Sequence, residues 1–152
     1  MYKAIVRALI RRSIRELNVG DAGPALAVFA TDATLSFPGD NSWSHQFRPP
    51  VFGREQFVTH RGKDEVAAFL DAYVASGIQM TVEDVLVNGP PWNTRVAVRV
   101  NHGIPEGDGY RYTNRAVLFA TIAWGKIRAQ EDYEDTVRVA QYDDLTGQTP
   151  AR

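Results

Sequence analysis

The sequence predicts a single α+β domain, residues 1–152, in which N-terminal helices cover the concave face of a strongly bent, cone-shaped antiparallel sheet. Apolar residues recur at helical spacing in the first half and alternate with polar residues after Gly77. The length of 152 residues fits one domain with its own core. Helices followed by a meander of long strands pack on one face of the sheet, and long strands bend. The open end of such a cone is a natural small-molecule pocket.

Three helices are predicted before the meander. The first runs through Leu17 and ends at Gly20, a residue suited to a left-handed cap. Asp21 is placed to cap a short second helix that reaches Phe29, and the third helix covers residues 63–75. The first helix also carries a lysine and several arginines, and a basic amphipathic helix can bind a membrane or a partner. The favoured interpretation is a core-packed helix whose basic residues form a solvated outer face.

Five strands are predicted, the first a short one over residues 33–37. The irregular segment 45–60 contains Pro49, Pro50 and Gly53 and is interpreted as a loop insertion. Four long strands follow at residues 78–88, 94–104, 110–124 and 127–139, separated by glycine-containing turns. The polar tail, residues 143–152, is expected to fray.

Composition restricts the class of function. The net charge of -1 gives no bulk attraction to nucleic acid or anionic lipid, and the absence of cysteine excludes disulfides and thiolate chemistry. Without a signal peptide or an apolar run of about 20 residues, a soluble cytoplasmic protein is expected. His45, His60 and His102 lack zinc-motif spacing and no glycine-rich phosphate loop is present, so no metal and no cofactor are predicted.

Three segments resemble the SnoaL-like and NTF2-like superfamily, whose fold is also described as cystatin-like. They are LNVGD at residues 17–21, FATDAT at residues 29–34, and GKI at residues 125–127 followed by DYED at residues 132–135. The likeness extends over most of the chain outside segment 45–60. The superfamily includes ketosteroid isomerases, limonene epoxide hydrolases and polyketide cyclases, so it implies a pocket for a hydrophobic molecule and a homodimer.

The resemblance to ketosteroid isomerases carries over no catalytic role. The position of their proton-abstracting aspartate is Phe37 here, and their oxyanion-hole tyrosine and aspartic acid fall at Ser13 and near Val117. Because a general base must be titratable, steroid isomerisation by that mechanism is not expected.

One position survives from the other two enzyme classes. Limonene epoxide hydrolases place an aspartate at the position of Asp132. Their other catalytic positions correspond here to Arg99 (a second aspartate), Ala97 (the bridging arginine), Leu35 (a tyrosine) and Phe37 (an asparagine). Polyketide cyclases of the SnoaL type also have an acid/base aspartate at the position of Asp132. The resemblance therefore implies acid/base chemistry by Asp132.

Strand alternation predicts the surroundings of that aspartate. Gln130, Asp132 and Glu134 share one face of the last strand. Arg99 and Asn101 lie opposite a valine face on an earlier strand, and we expect Arg99 to meet Asp132 in the pocket. The alternatives are that Arg99 and Asp132 form a structural ion pair on a sheet face or are charges on a dimer surface. Glu134 would then belong to a solvated acidic strand end.

These observations give two hypotheses. The first is a cofactor-independent isomerase, cyclase or hydrolase that acts on a polyketide-, terpene- or steroid-like compound, with Asp132 and Arg99 as catalytic residues. The second is a non-catalytic module that binds an apolar ligand or forms dimers, the dimer being expected from apolar residues on both faces of segment 117–122. The residues predicted to bind substrate are Leu35, Phe37, Trp43, Asn101, Tyr112, Val117, Phe119, Gln130 and Glu134.

Overall fold

The computed structural model describes residues 1–38 and 57–146 as four helices and six strands. The helices are α1 (Tyr2–Asn18), α2 (Gly23–Val28), α3 (Gly62–Ala75) and α4 (Thr136–Thr146). The strands are β1 (Phe29–Pro38), β2 (Phe57–Arg61), β3 (Gln79–Asn88), β4 (Thr94–Glu106), β5 (Gly109–Ala123) and β6 (Lys126–Glu134).

The strands form one curved, open sheet in the order β2-β1-β6-β5-β4-β3. All neighbouring pairs are antiparallel except β1 and β6, which run parallel. Helix α1 contacts β3, and α3 contacts β1 and β2, so the helices lie across the concave face. The predicted α+β architecture with a bent sheet and N-terminal helices is confirmed.

The core lies between that concave face and the helices. Alternation along β4 buries Val96, Val98 and Val100, while the residues between them are less buried. Helix α1 contributes Val6, Ile14 and Leu17, which recur at helical spacing on its sheet-facing side. Burial of apolar surface on this one face of the sheet is therefore what holds helices and strands together.

The end of α1 is fixed to β3 by the side chain of Asn18. Its Nδ2 donates to the Met80 carbonyl and its Oδ1 accepts from the Met80 amide, each at 2.8 Å. The chain then turns at Gly20, whose φ of 92° is the left-handed conformation expected there. The carboxylate of Asp21 accepts a hydrogen bond from the Gly23 amide at 2.9 Å at the start of α2.

Two expected irregular segments are partly regular. Residues 57–60, assigned by prediction to the loop insertion, belong to β2, which pairs with β1; residues 45–56 lie outside the described residues. The last strand ends at Glu134 rather than Val139, because Asp135 accepts a hydrogen bond from the Val137 amide at 3.0 Å and begins α4. Asp143, predicted to lie in the fraying tail, is only 2% exposed within that helix.

Within residues 1–38 and 57–146, no helix is both long and apolar enough to cross a membrane.

Replacing Asn18 with alanine should destabilise the fold by about 1–3 kcal/mol, because the amide and carbonyl of Met80 lose their shared partner. Urea denaturation would measure the free energy of unfolding. The matched control is Asn93→Ala in the exposed β3–β4 turn, which should change stability by less than about 0.5 kcal/mol. Equal effects of the two substitutions would show that the Asn18 bridge contributes little.

Candidate functional site

A cavity with a volume of about 140 Å³ lies between the concave face and the helices. For comparison, an engineered cavity of about 150 Å³ in another protein stays dry and binds benzene. The walls are mainly apolar side chains from α1, α3 and the inner rows of the sheet. They include Ile10, Ile14, Phe29, Leu35, Phe37, Phe69, Leu70, Ile78, Met80, Val96, Val98, Leu118, Ala120, Ile122 and Ile127.

Five polar side chains line the same cavity toward the end of β6. Gln130, Asp132 and Glu134 come from β6, Tyr73 from α3 and His102 from β4. Gln130 Nε2 donates to Asp132 Oδ1 at 2.9 Å, and the rings of Tyr73 and His102 lie 6.4 Å apart between centroids. An apolar chamber with a few convergent polar groups is the usual form of a small-molecule site.

A bulge in β6 brings these side chains to the concave face. Thr121 pairs with Ala129 and Ile122 with Ile127, so Arg128 is the extra residue between them. As a result Ile127 and Gln130 both line the cavity although they are three residues apart. The alternation from Gln130 through Glu134 then proceeds without interruption.

Burial changes the acidity of Asp132. Asp132 is half-buried and lines the cavity, and its desolvation by the surrounding protein raises its pKa from 3.8 to about 7. The hydrogen bond from Gln130 acts in the opposite direction and lowers the pKa. No arginine or lysine of the described residues lines the cavity to hold the carboxylate ionised.

Glu134 is a second perturbed acid two residues along the same face. Burial is the largest cause that raises its pKa to about 8, followed by the negative charges of Asp132, Asp143 and Asp135. Its Oε1 has no hydrogen-bond partner among the described residues. Near neutral pH the two acids are therefore more protonated than exposed carboxyl groups, which are ionised there.

The remaining polar groups of this end are uncharged. Burial lowers the pKa of His102 to about 4, so its imidazole is neutral. Burial, then the charge of Asp132 and then that of Glu134, raises the pKa of Tyr73 well above 10. The Tyr73 hydroxyl and His102 Nε2 make no hydrogen bond within the part of the chain that the structure describes.

Only some of the sequence-predicted site residues line the cavity. Leu35, Phe37, Gln130, Asp132 and Glu134 line the cavity. Tyr112 is buried on the concave side but packs on Tyr142 of α4 at 4.9 Å between ring centroids, outside the lining. Trp43 lies outside the described residues.

The predicted contact between Arg99 and Asp132 is wrong. Cross-strand pairing places Asp132 in one row with Leu118 and Val98, while Arg99 pairs with Val117 on the other face of the sheet. The Arg99 side chain is 58% exposed, and its Nε lies 3.0 Å from Glu83 Oε2. The alternative of a structural ion pair between Arg99 and Asp132 is also wrong, because Arg99 pairs with Glu83 on the outer face while Asp132 lines the cavity.

Three other predicted site residues also lie on the outer face, one position away from side chains that face inward. Asn101 donates to Glu83 Oε1 at 2.6 Å on the outer face. Val117 and the 39% exposed Phe119 share that face with Arg99, and the side chains that line the cavity are their neighbours Leu118 and Ala120. The valine face of β4 packs the core and bounds the cavity at the same time.

Tyr73 and His102 are the site residues that the sequence prediction missed. His102 continues the alternation of Val96, Val98 and Val100, so the strand pattern already placed it on the inner face. Tyr73 lies on the apolar side of α3, where the sequence cannot distinguish a tyrosine that lines a cavity from one that packs in the core. His60 is buried against Phe37 and Phe69, and the described residues contain no group of metal-binding side chains.

Comparison with known proteins decides the family. The model of the SnoaL-like domain matches residues 10–130, which includes the second half of α1, strands β1 to β5 and the first part of β6 as far as Gln130. The chain belongs to the SnoaL-like family. The match ends two residues before Asp132, so the family model itself gives no information on the two acids. No curated protein sequence matches the chain.

Solved structures with this SnoaL-like fold are similar over nearly the whole chain. TerC co-crystallised with polyporic acid superposes with a TM-score of 0.69 and 20% identity over 91% of this chain and 98% of TerC. An NTF2-like protein of unknown function from Burkholderia pseudomallei K96243 superposes with a TM-score of 0.65 and 19% identity over 89% of this chain and 96% of that protein. A candidate ketosteroid isomerase from Kribbella flavida DSM 17836 superposes with a TM-score of 0.57 and 22% identity over 86% of this chain and 77% of that protein. Identities this low establish the fold alone.

The raised pKa values of Asp132 and Glu134 predict that stability falls as the pH rises from 6.5 to 8. In this window the folded protein holds protons that the unfolded chain has lost, because the two acids there have their ordinary pKa values of 3.8 and 4.5. The slope should reach up to about 1.4 kcal/mol per pH unit for each acid. Below pH 6.5 the lowered pKa of His102 acts in the opposite direction, because the unfolded chain then binds the extra proton.

Urea denaturation at several pH values would measure this slope. The double variant Asp132→Asn, Glu134→Gln should flatten it, whereas Asp108→Asn in the exposed β4–β5 turn should leave it unchanged. A wild-type stability that stays constant between pH 6.5 and 8 would contradict the raised pKa values.

Proposed function

We propose that this protein is a cofactor-independent acid/base enzyme that acts on a hydrophobic small molecule held in the cavity. The observation that carries the proposal is Asp132, a desolvated carboxyl group whose pKa of about 7 matches neutral pH, facing an apolar chamber. An isomerase or cyclase acting on a polyketide-, terpene- or steroid-like compound, as the resemblance implies, fits such a chamber.

Two acids on one strand face supply complementary roles. In its ionised form Asp132 accepts a proton from the substrate, and Glu134, with the higher pKa, donates one from its carboxylic acid. Their Cα atoms are two residues apart, about 6.6 Å along a strand, so both reach one bound ring system. Because neither acid is held by a cation among the described residues, both remain free to exchange protons.

A second candidate function is a non-catalytic pocket that binds an apolar ligand. The walls favour it, since nearly all the lining is aliphatic or aromatic, and Arg99 lies on the outer face rather than in the site. The positions of the ketosteroid isomerase catalytic groups are occupied by Phe37, Ser13 and Val117, which lack acid/base side chains for that reaction.

Proton exchange separates the two candidates without knowledge of the natural substrate. β-Tetralone, an apolar bicyclic ketone with acidic C–H bonds, is incubated with the protein in D2O, and deuterium incorporation is followed by mass spectrometry. The wild type should accelerate exchange above the buffer rate. Asp132→Asn should reduce that acceleration by about 100-fold or more, because the variant has no titratable group at this position.

The control for this assay is Asp108→Asn, which removes a carboxylate from an exposed turn and should leave the rate unchanged. A wild-type rate equal to that of buffer, with the ketone demonstrably bound, would favour the non-catalytic candidate. An unchanged rate in Asp132→Asn would remove Asp132 from the mechanism.

We also propose that two copies of the chain pair through the outer face of the sheet. Leu86, Ala97 and Phe119 form one cross-strand row on that face, and Leu86 and Phe119 are 61% and 39% exposed. Charged groups border the row, with Glu83 between Arg99 and Arg115. An apolar strip with a charged rim is typical of a protein interface.

Phe119→Glu should convert the dimer to a monomer, because pairing would bury two carboxylates in the apolar strip. Light scattering should give twice the chain mass of 16.9 kDa for the wild type and the single mass for this variant. Leu145→Glu changes an exposed leucine on α4 and should leave the dimer intact. A monomeric wild type would contradict the proposal.

A further inference from the structure

We propose that the ligand of the cavity is a neutral, largely apolar ring compound whose carbonyl or hydroxyl oxygen accepts a hydrogen bond from Tyr73. The inference rests on the proposed function, because it specifies the class of molecule that the acid pair meets. It makes Tyr73 a specificity-determining residue, and it makes the cavity lining, which has no lysine or arginine among the described residues, a filter against anionic compounds.

Tyr73 is placed to bind a ligand rather than the protein. It is only 7% exposed, lies between Phe69 at 6.3 Å and His102 at 6.4 Å from ring to ring, and lines the cavity. Its hydroxyl has no hydrogen-bond partner among the described residues. A buried hydroxyl without a partner is unfavourable, so a ligand oxygen that accepts its hydrogen bond gains affinity.

The hydroxyl can act only as a donor or a neutral acceptor at physiological pH. Burial and the neighbouring charges of Asp132 and Glu134 raise its pKa well above 10, so it keeps its proton. The natural complement of this hydroxyl is a carbonyl or hydroxyl oxygen on the ligand.

Charge at this end of the cavity disfavours an anion. Asp132 and Glu134 supply the negative charge, while His102 is neutral because burial lowers its pKa to about 4. Within residues 1–38 and 57–146, no lysine or arginine lines the cavity, and Arg7 of α1 is turned to β3, where its Nε donates to the Val85 carbonyl at 3.1 Å. A ligand carboxylate would therefore be desolvated beside like charge, and the described residues offer it no counter-ion.

Three matched probes test the inference by isothermal titration calorimetry at pH 7: naphthalene, β-naphthol and β-naphthoate. The wild type should bind β-naphthol at least about tenfold more tightly than β-naphthoate, since one unfavourable charge contact of about 1.4 kcal/mol suffices for that ratio. Tyr73→Phe should weaken β-naphthol about 3- to 10-fold and leave naphthalene within about twofold. The matched control is Tyr110→Phe, a tyrosine that is 65% exposed.

A second variant tests the charge filter separately. Asp132→Asn keeps the size of the side chain and removes its charge, so it should tighten β-naphthoate and narrow the gap to β-naphthol. The inference is overturned if β-naphthoate binds the wild type as tightly as β-naphthol. It is also overturned if Tyr73→Phe weakens naphthalene as much as β-naphthol, or if no probe binds.

These outcomes are distinct from those of the exchange assay. Probe selectivity with no deuterium exchange would remove the enzyme proposal and leave the ligand class in place. Deuterium exchange that depends on Asp132, combined with equal binding of neutral and anionic probes, would support the enzyme proposal and remove the proposed ligand class.

Discussion

The desolvation of two carboxyl groups on one face of β6 is the constraint on which the site depends. An ionised carboxylate in an apolar chamber is unfavourable unless a cation or several hydrogen bonds compensate it. Here the described lining offers Asp132 only the amide of Gln130, and Glu134 Oε1 has no hydrogen-bond partner among those residues. The protein therefore retains protons on the pair, with pKa values raised to about 7 and about 8. The apolar walls thus set the acidity of the site as well as its shape.

The fold maintains this arrangement from three sides. The bulge at Arg128 sets the phase of β6, so that Gln130 and the residues two and four positions later face inward. Helix α4 closes the end of the strand, where Asn114 Nδ2 donates to the Asp135 carbonyl at 3.1 Å and the buried Asp143 adds to the raised pKa of Glu134. Helix α1, fixed to β3 through Asn18, supplies the opposite apolar wall. The elements that build the core therefore also contribute to the burial of the acids.

The sequence was sufficient for the architecture and for the strand that carries the acids, and insufficient for the choice of face on β4 and β5. Strand alternation yields two sets of side chains on β4, and the sequence prediction assigns Arg99 and Asn101 to the pocket because it assigns the valines to the core. Val117 enters the predicted site through the family resemblance, and it lies on the same outer face as Arg99. Core and cavity share one face, since the helices that pack on the sheet also leave the chamber beneath them. The short strand β2 and helix α4 were missed for another reason: their pairing and packing partners are distant in sequence, and tertiary contacts decide such segments.

The polar groups at the end of β6 support the proposed acid/base site over a simple hydrophobic binding pocket. A neutral apolar ligand with one oxygen could be bound by the Tyr73 hydroxyl and the aliphatic walls alone. Two buried acids are not needed for that task, and they lower stability at neutral pH because folding must either protonate or desolvate them. Side chains that are costly to bury, lie together in a cavity and have a pKa near the working pH are typical of catalytic groups. The binding-only alternative accounts for the walls and for Tyr73, but it gives no reason for Asp132 and Glu134 to share the inner face of β6.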